Sequence, residues 1–140
     1  MASSTTINAN NANVNQLNTT FHSSVPVLAK TADYTITSED IKKNTLFTNR
    51  GASGAVVLTL PTASQDLAGH VITVITVVAQ TLQVNQGAAN LIRVGGTSTS
   101  LTTPGAIGAF IEVFCDGSSF YAIGSNSDDG STNGMNYTAA

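Results

Sequence analysis

Short β-strand patterns separated by turn residues run through most of this chain, and they limit the folds open to it. Val56, Leu58 and Leu60 lie two positions apart, so they share one face of a strand that Pro61 ends. The run from Val71 to Val78 is apolar on both faces, which predicts a central buried strand. No long helical period and no repeat of fixed length is visible in this zone. About seven or eight such strands predict an all-β fold, an antiparallel β-sandwich or barrel.

The composition supports strands and argues against a nucleic-acid partner. Charged residues make up 9% of the 140 residues, against about 25% in an ordinary soluble domain. Thr, Ser and Asn together supply 47 residues, while the good helix formers Glu, Lys and Leu are scarce. A net charge of −3 offers no basic patch for phosphates. We therefore expect one β domain that binds no nucleic acid.

The chain divides into three zones by composition. Residues 1–29 contain no acidic or basic side chain and carry six Asn between positions 8 and 18, which predicts an N-terminal arm, extended or ordered by a partner. Residues 30–125 hold the strand patterns and predict the β domain. Residues 126–140 are rich in Asn, Asp, Gly and Ser and predict a flexible C-terminal tail.

Cysteine usage and hydropathy indicate neither a disulfide framework nor a membrane segment. Cys115 is the single cysteine, so no intrachain disulfide forms. The first six residues lack the basic and apolar regions of a secretory signal. The longest apolar-rich stretch, Val71 to Ala79, is too short to span a bilayer as a helix. We expect no membrane partner.

Two local elements are predicted in more detail. Thr37 to Asp40 resembles a capping box that begins a single helical turn. Asp116-Gly117 lies between two apolar strands, which is a strong hairpin signal. Its register stays open: a turn centred on Asp116-Gly117 pairs Cys115 with Ser118, whereas a turn centred on Gly117-Ser118 pairs Cys115 with Phe120. Most aromatic residues fit strand interiors, namely Phe47, Phe110, Phe114, Phe120 and Tyr121.

Four segments of the middle zone resemble a small β domain found in structural proteins of tailed bacteriophages. They are residues 32–37 with the "DYT" strand, residues 46–56 with the "N-x-G-A-x-G" turn, residues 58–61 with the "LP" ending, and the Asp116-Gly117 hairpin. Capsid decoration (cement) proteins, head fibres and tail-fibre segments carry that domain. The resemblance covers residues 31–124. It implies a virion structural role, a β-sandwich and a homotrimer, and it brings no catalytic residues with it.

Catalytic, metal-binding and cofactor-binding patterns are weak. His22 lies in the arm, and His70 opens the central strand with Asp66 nearby in sequence, but no G-x-S-x-G elbow supports a Ser/His/Asp triad. Cys115 lies in a strong strand, where a buried or half-buried thiol is the simpler interpretation than a nucleophile. No spacing of zinc or calcium ligands is present, and Asp128-Asp129 is interpreted as an acidic turn. We predict no catalytic residues, no metal, no cofactor and no enzymatic activity.

Four apolar residues interrupt the polar arm and are candidate anchors for a partner protein: Ile7, Val14, Leu17 and Phe21. Ile7, Val14 and Phe21 lie seven apart, with Leu17 between them, so a short three-stranded helical stalk is one interpretation. Asn and Thr are poor helix formers, which favours the second interpretation, an extended arm. Burying uncharged amide and hydroxyl side chains against a partner costs little free energy of desolvation, and these side chains can hydrogen-bond to exposed backbone.

Together these observations predict a protein of assembly, with capsid decoration as the first hypothesis. A homotrimer on the outer capsid surface of the virion would bind the major capsid protein through its arms and stabilise the assembled shell. The alternative is a short tail or head fibre, or a receptor-binding adhesin of the virion. An exposed aromatic cluster would favour that alternative, because aromatic side chains on a surface can bind host glycans.

Overall fold

The computed structural model describes residues 24–93, 96–125 and 136–139, and these residues form almost entirely β-structure. One short helix, α1 (Ser38–Lys42), and a 3-10 turn at Gln65–Leu67 accompany the strands. The predicted all-β class is confirmed. The strands are β1 (Val27–Ala29), β2 (Tyr34–Thr35), β3 (Leu46–Thr48), β4 (Val56–Thr59), β5 (Val71–Ile75), β6 (Leu82–Asn85), β7 (Leu91–Arg93), β8 (Gly96–Thr102), β9 (Phe110–Cys115), β10 (Phe120–Ser125) and β11 (Asn136–Ala139).

The first six strands form two parallel stacks between which the chain alternates. One stack is β1, β3 and β5, and the other is β2, β4 and β6. Each pass through both stacks makes one coil, so the chain winds a β-solenoid of about three turns. The predicted antiparallel sandwich or barrel is therefore wrong. Strands that are neighbours in sequence belong to opposite stacks, and they pair with the strand one coil away.

The coils leave no repeat in the sequence because their lengths differ. Along the first stack, Val27 aligns with Leu46 and Leu46 aligns with Thr73, so the second coil is much longer than the first. The steps along the second stack, from β2 to β4 and from β4 to β6, are intermediate in length. The extra residues of the second coil lie in the segments that connect β3 to β4 and β4 to β5. A search for a fixed period therefore finds nothing.

The core lies between the two stacks and is built from rows of aligned apolar side chains. One row runs from Leu28 through Phe47 and Val74 to Ile111, and the last three of these residues are buried. The facing row includes Leu58, Val84 and Leu101, all fully buried. Burial of a large aliphatic side chain contributes about 1.5–3 kcal/mol, so these rows dominate the stability of the fold.

Antiparallel strands close the last coil. Strand β9 pairs with β5 and with β10, while β8 pairs with β6. Strand β7 lies between β10 and β8 and so joins the two halves of the sheet. Strand β11 pairs with one edge of β8, and β6 and β7 pair with the other edge. Hence β5 and β6, the last strands of the parallel stacks, are both covered.

Polar side chains at the corners bind one coil to the next. Asn49, which follows β3, is fully buried; its Oδ1 accepts the N–H groups of Val77 and Val78 at 2.8 and 3.0 Å. Its Nδ2 donates to the carbonyls of Val78 and Gln80, each at 2.9 Å. At the preceding corner, the side chain of Asn44 likewise bonds to the backbone of the next coil: its Oδ1 accepts the N–H of Val71 at 3.1 Å.

Both detailed local predictions are confirmed. Thr37 caps α1, since its Oγ1 accepts the Asp40 N–H at 3.1 Å and the Asp40 carboxylate accepts the Thr37 N–H at 2.9 Å. The hairpin takes the second of the two registers, with Cys115 opposite Phe120 and the turn centred on Gly117-Ser118. Gly117 has a φ of 98°, a conformation that glycine adopts readily.

Two strands extend the sheet beyond residues 30–125. Strand β1 lies within the segment 1–29 that the composition assigns to the arm, and it pairs with β3. Strand β11 lies within the segment 126–140. No helix in the described part of the chain is long and apolar enough to cross a bilayer.

Candidate interaction surface

The outer side of the sheet half formed by β1, β3, β5, β9 and β10 is unusually apolar. We call its outward-pointing side chains the apolar face. The pairing registers align them in rows across the strands. These side chains include Val27, Leu46, Val71, Thr73, Ile75, Phe110, Glu112, Phe114, Tyr121 and Ile123, and the row of Ile75 also contains Ala29 and the buried Thr48. Glu112 is the one charged member of this set, and it lies beside the polar Thr73 on β5.

Several members of the apolar face are substantially exposed. Val27 is 61% exposed, Ile123 51%, Tyr121 41% and Phe114 39%. Phe114 and Tyr121 are directly opposite each other on β9 and β10, so they form an adjacent aromatic pair. The prediction that aromatic residues fill strand interiors holds for Phe47 and Phe120, which are buried, but it is wrong for Phe114 and Tyr121.

The outer side of the other stack is mostly polar. Thr59, Gln83 and Asn85 point outward from β4 and β6 together with Val57, whereas Leu58 and Val84 point into the core. Water solvates such amides and hydroxyls well. An exposed surface of contiguous apolar side chains is instead characteristic of a binding site.

The hairpin that carries the aromatic pair is held by Asp116. Its Oδ1 accepts the N–H groups of Ser118 and Ser119 at 2.8 and 2.7 Å. These N–H donors, with the Tyr121 hydroxyl, lower the pKa of Asp116 to about 2. The same hydroxyl contact raises the pKa of Tyr121. The Tyr121 ring is therefore tied to the turn at one end while much of its surface stays accessible.

The sequence contains one signal for the apolar face. The run from Val71 to Val78 is apolar on both faces, a pattern that predicts burial on both sides. In the structure Ile72 and Val74 are buried, whereas Val71 and Ile75 lie on the half-buried outer side. A strand apolar on both faces also fits a sheet that is covered on one side by the core and on the other by a partner.

The candidate catalytic groups do not assemble into a triad. Asp66 bonds to the hydroxyl of Ser64 and forms an ion pair with Lys42 at 2.8 Å. The hydrogen bond from Lys42, with that from Ser64, lowers the pKa of Asp66 to about 2. The Nδ1 of His70 lies 3.2 Å from Oδ1 of Asn44, the atom that also accepts the backbone N–H after His70. His70 thus belongs to a corner of the solenoid.

Cys115 is a buried core residue, in agreement with the prediction. It is 4% exposed, and its Sγ accepts the N–H of Gly117 at 3.4 Å. Within residues 24–93, 96–125 and 136–139 there is no cluster of three or more His, Cys, Asp or Glu able to hold a metal.

The predicted arm anchors lie outside the described residues. Ile7, Val14, Leu17 and Phe21 all precede Ser24, and so does His22; Asp128 and Asp129 fall in the gap before β11. The same stretches account for most of the chain that was predicted to be arm and tail. Among the described residues, the apolar face is therefore the candidate interaction surface.

Comparison of the chain with protein-family models, with curated proteins and with solved structures finds no match. The function is therefore inferred from the residues themselves and from the resemblance described under Sequence analysis.

Proposed function

We propose that this protein is a capsid decoration (cement) protein of a tailed bacteriophage. It binds the outer surface of the shell as a homotrimer and stabilises the assembled lattice. The single observation that carries the proposal is the apolar face, with Val27, Phe114, Tyr121 and Ile123 each more than a third exposed. Monomeric proteins rarely expose large apolar patches, whereas subunits of assemblies often do.

The two contacts that decoration requires are assigned to different parts of the chain. Copies associate through the apolar face, so that the interface excludes water from the exposed aromatic pair and from Ile123. The arm binds the major capsid protein through Ile7, Val14, Leu17 and Phe21. Binding only to assembled shell stabilises the shell by mass action, and three arms on one trimer multiply the effect. This role needs no catalytic residue, metal, cofactor, nucleic acid or membrane.

Self-association is tested by sedimentation of matched charge variants. Ile123→Asp places a charge on the apolar face, and Gln83→Asp places the same charge on the polar side of the solenoid. We expect a trimer for the wild type and for Gln83→Asp, and a monomer for Ile123→Asp. A wild-type chain that sediments as a monomer at micromolar concentration contradicts the homotrimer.

Shell binding is tested by co-sedimentation with expanded shells of the phage that carries the protein. The wild type is expected to bind in hundreds of copies per particle. A chain lacking residues 1–24 is expected to stay folded and trimeric but to leave the shells undecorated. If the truncated chain decorates shells as well as the full chain does, the arm is not the capsid contact. A handful of copies per particle contradicts decoration altogether.

The aromatic pair favours a second candidate function, a short fibre or receptor-binding adhesin of the virion. Phe114 and Tyr121 lie side by side on the surface, and exposed aromatic rings are suited to stacking on sugar rings. This candidate predicts that Tyr121→Ala abolishes binding to glycans of the host surface without dissociating the trimer. The decoration hypothesis predicts that the same variant weakens the trimer.

A further inference from the structure

One acidic side chain lies in the middle of the apolar face. Glu112 is the central outward residue of β9, with Phe110 and Phe114 two positions away along the strand on either side. The registers place Thr73 of β5 directly opposite Glu112 on one side and Ile123 of β10 on the other. Side chains in such cross-strand pairs have Cβ atoms about 4.5–5.5 Å apart. The half-buried carboxylate is therefore surrounded by side chains that carry no charge.

The cationic side chains of the described residues lie elsewhere on the molecule. Lys42 pairs with Asp66 at 2.8 Å, and the Nζ of Lys30 lies 3.2 Å from the centre of the Tyr34 ring. The remaining cations of the described chain belong to the end of α1, to the turn after β3 and to β7, namely Lys43, Arg50 and Arg93. None of these elements contributes outward side chains to the centre of the apolar face, and the ion pairs of the described residues do not include Glu112.

Association through the apolar face removes water from Glu112. When three copies associate through the same face, that face is turned toward the threefold axis. Glu112 then meets apolar side chains or the Glu112 side chains of the other copies. Burial in apolar surroundings and the proximity of another carboxylate both disfavour the charged form of a carboxyl group. A carboxyl group that is buried without a cation becomes neutral by binding a proton.

We propose that protonation of Glu112 controls the self-association of this protein. Each copy takes up a proton when it joins the trimer, so the trimer is tightest in mild acid and weakens as the pH rises. The apolar contacts of Phe114, Tyr121 and Ile123 supply the attraction, and Glu112 determines how strongly that attraction depends on pH. This control rests on the self-association part of the proposed function and does not involve the capsid contact.

The other titratable groups near the apolar face can be distinguished from Glu112. The pKa of Asp116 is about 2, and the hydrogen bond to Asp116 raises the pKa of Tyr121 above the ordinary value of 10.0. Neither group therefore changes its charge between about pH 5 and pH 8. The outward side chains of β5 do not titrate. His70 precedes β5, with its Nδ1 3.2 Å from Oδ1 of Asn44, and it requires a control of its own.

Sedimentation equilibrium of the full chain tests this control, at several pH values between about 5 and 8 and at constant ionic strength. The test variant, Glu112→Gln, keeps the shape of the side chain and removes its charge. The matched control, Glu39→Gln, removes the same charge from an exposed position on α1. A third variant, His70→Asn, keeps an amide group near Asn44 but does not titrate.

We expect the wild type, Glu39→Gln and His70→Asn to share one pH dependence. The concentration at which half of the chains are trimeric should be at least about tenfold lower at pH 5 than at pH 8, because each proton taken up changes the association constant by up to about tenfold per pH unit. For Glu112→Gln this concentration should not depend on pH, and at pH 8 it should be about as low as that of the wild type at pH 5.

Two outcomes overturn the proton control while leaving the trimer in place. The first is a Glu112→Gln chain with the pH dependence of the wild type. The second is a Glu112→Gln trimer that is weaker than the wild-type trimer at pH 8, since a cation of another copy would then bind the carboxylate. Chains that sediment as monomers at every pH, Glu112→Gln included, instead contradict the proposed self-association, and the proton control fails with it.

Discussion

Asn49 and Val78 are joined by two hydrogen bonds, although they lie far apart in the chain. The side-chain oxygen of Asn49 accepts the N–H of Val78 at 3.0 Å, and its amide donates to the carbonyl of Val78 at 2.9 Å. With the bonds to Val77 and Gln80, both ends of the Asn49 side-chain amide are engaged at this corner. One buried amide therefore fixes the corner after β5 to the corner after β3.

Replacing Asn49 with Ala should be among the most destabilising single changes in the chain. It removes four hydrogen bonds and leaves partly buried backbone groups without these partners, each at up to about 1–3 kcal/mol. We expect the free energy of unfolding to fall by about 3–5 kcal/mol in urea denaturation. Asn90→Ala, at an exposed position, is the control, with an expected change within about 0.5 kcal/mol. Comparable losses in both variants would contradict the role given to Asn49.

Gly117 and Gly69 separate two reasons for requiring glycine. Both have positive φ, 98° and 84°, but a Cβ at Gly117 would lie 2.6 Å from Nε2 of Gln65, whereas a Cβ at Gly69 meets nothing within 4 Å. Gly69→Ala should cost about 1 kcal/mol, from backbone strain alone, and Gly117→Ala should cost only slightly more, because the end of the exposed Gln65 side chain can move aside. Thermal unfolding of both variants and of Gly117→Ala with Gln65→Ala measures this. The added Gln65→Ala should recover the excess; if it recovers nothing, the contact is not the cause.

The hairpin should lose stability in acid because of Asp116. N–H donors from Ser118 and Ser119 hold the pKa of Asp116 at about 2, below the ordinary value of 3.8. Since the folded-state pKa is the lower one, the stabilisation is present above about pH 4 and is lost as the pH falls towards 2. Asp116→Asn keeps an oxygen acceptor but does not titrate. Its free energy of unfolding, followed by urea denaturation at each pH, should therefore fall less steeply across this range.

High salt should distinguish the acid-dependent stability that comes from Asp116 from the part that comes from Asp66. The pKa of Asp66 is also lowered to about 2; the largest cause is a hydrogen bond from Lys42, and the charge of Lys42 adds a smaller attraction. At about 1 M salt the Debye length is about 3 Å, so the attraction from Lys42 is screened. The acid-dependent slope removed by Asp66→Asn should shrink in salt, and the slope removed by Asp116→Asn should not. If salt reduced both slopes equally, the pKa of Asp116 would also depend on a charged neighbour.

Ile111 and Ile123 test whether the apolar face contributes to folding or to association. They lie on the neighbouring strands β9 and β10, with Ile111 fully buried and Ile123 51% exposed. Ile111→Ala should lower the free energy of unfolding by about 2–5 kcal/mol. Ile123→Ala should change the unfolding of the dissociated chain by less than about 1 kcal/mol and should weaken self-association. An equal loss from both, measured at high dilution, would show that Ile123 belongs to the monomer's core.

The local features of the fold follow from short stretches of sequence. Thr37 and Asp40 predict the cap of α1, and Asp116-Gly117 predicts the hairpin, because each interaction is complete within a few neighbouring residues. Inward positions such as Leu58 and Val84 follow from alternation along a strand. These predictions needed no knowledge of which strands pair.

The solenoid and the apolar face were not predictable in this way. Strand alternation is the same whether a strand pairs with its sequence neighbour or with a strand one coil away, and coils of unequal length leave no period to detect. The pairing decides which side of β9 and β10 is covered. Alternation assigned Phe114 and Tyr121 to strands, but only the topology shows that they point outward. The arm anchors remain a prediction.

The antiparallel strands that close the last coil also give the molecule a direction of growth. Strands β5 and β6 are already paired with β9 and β8, so no parallel strand can be added beyond them. In the described part of the chain, a further parallel strand could therefore join the two stacks only beside β1 and β2. The solenoid can lengthen at one end but not at both.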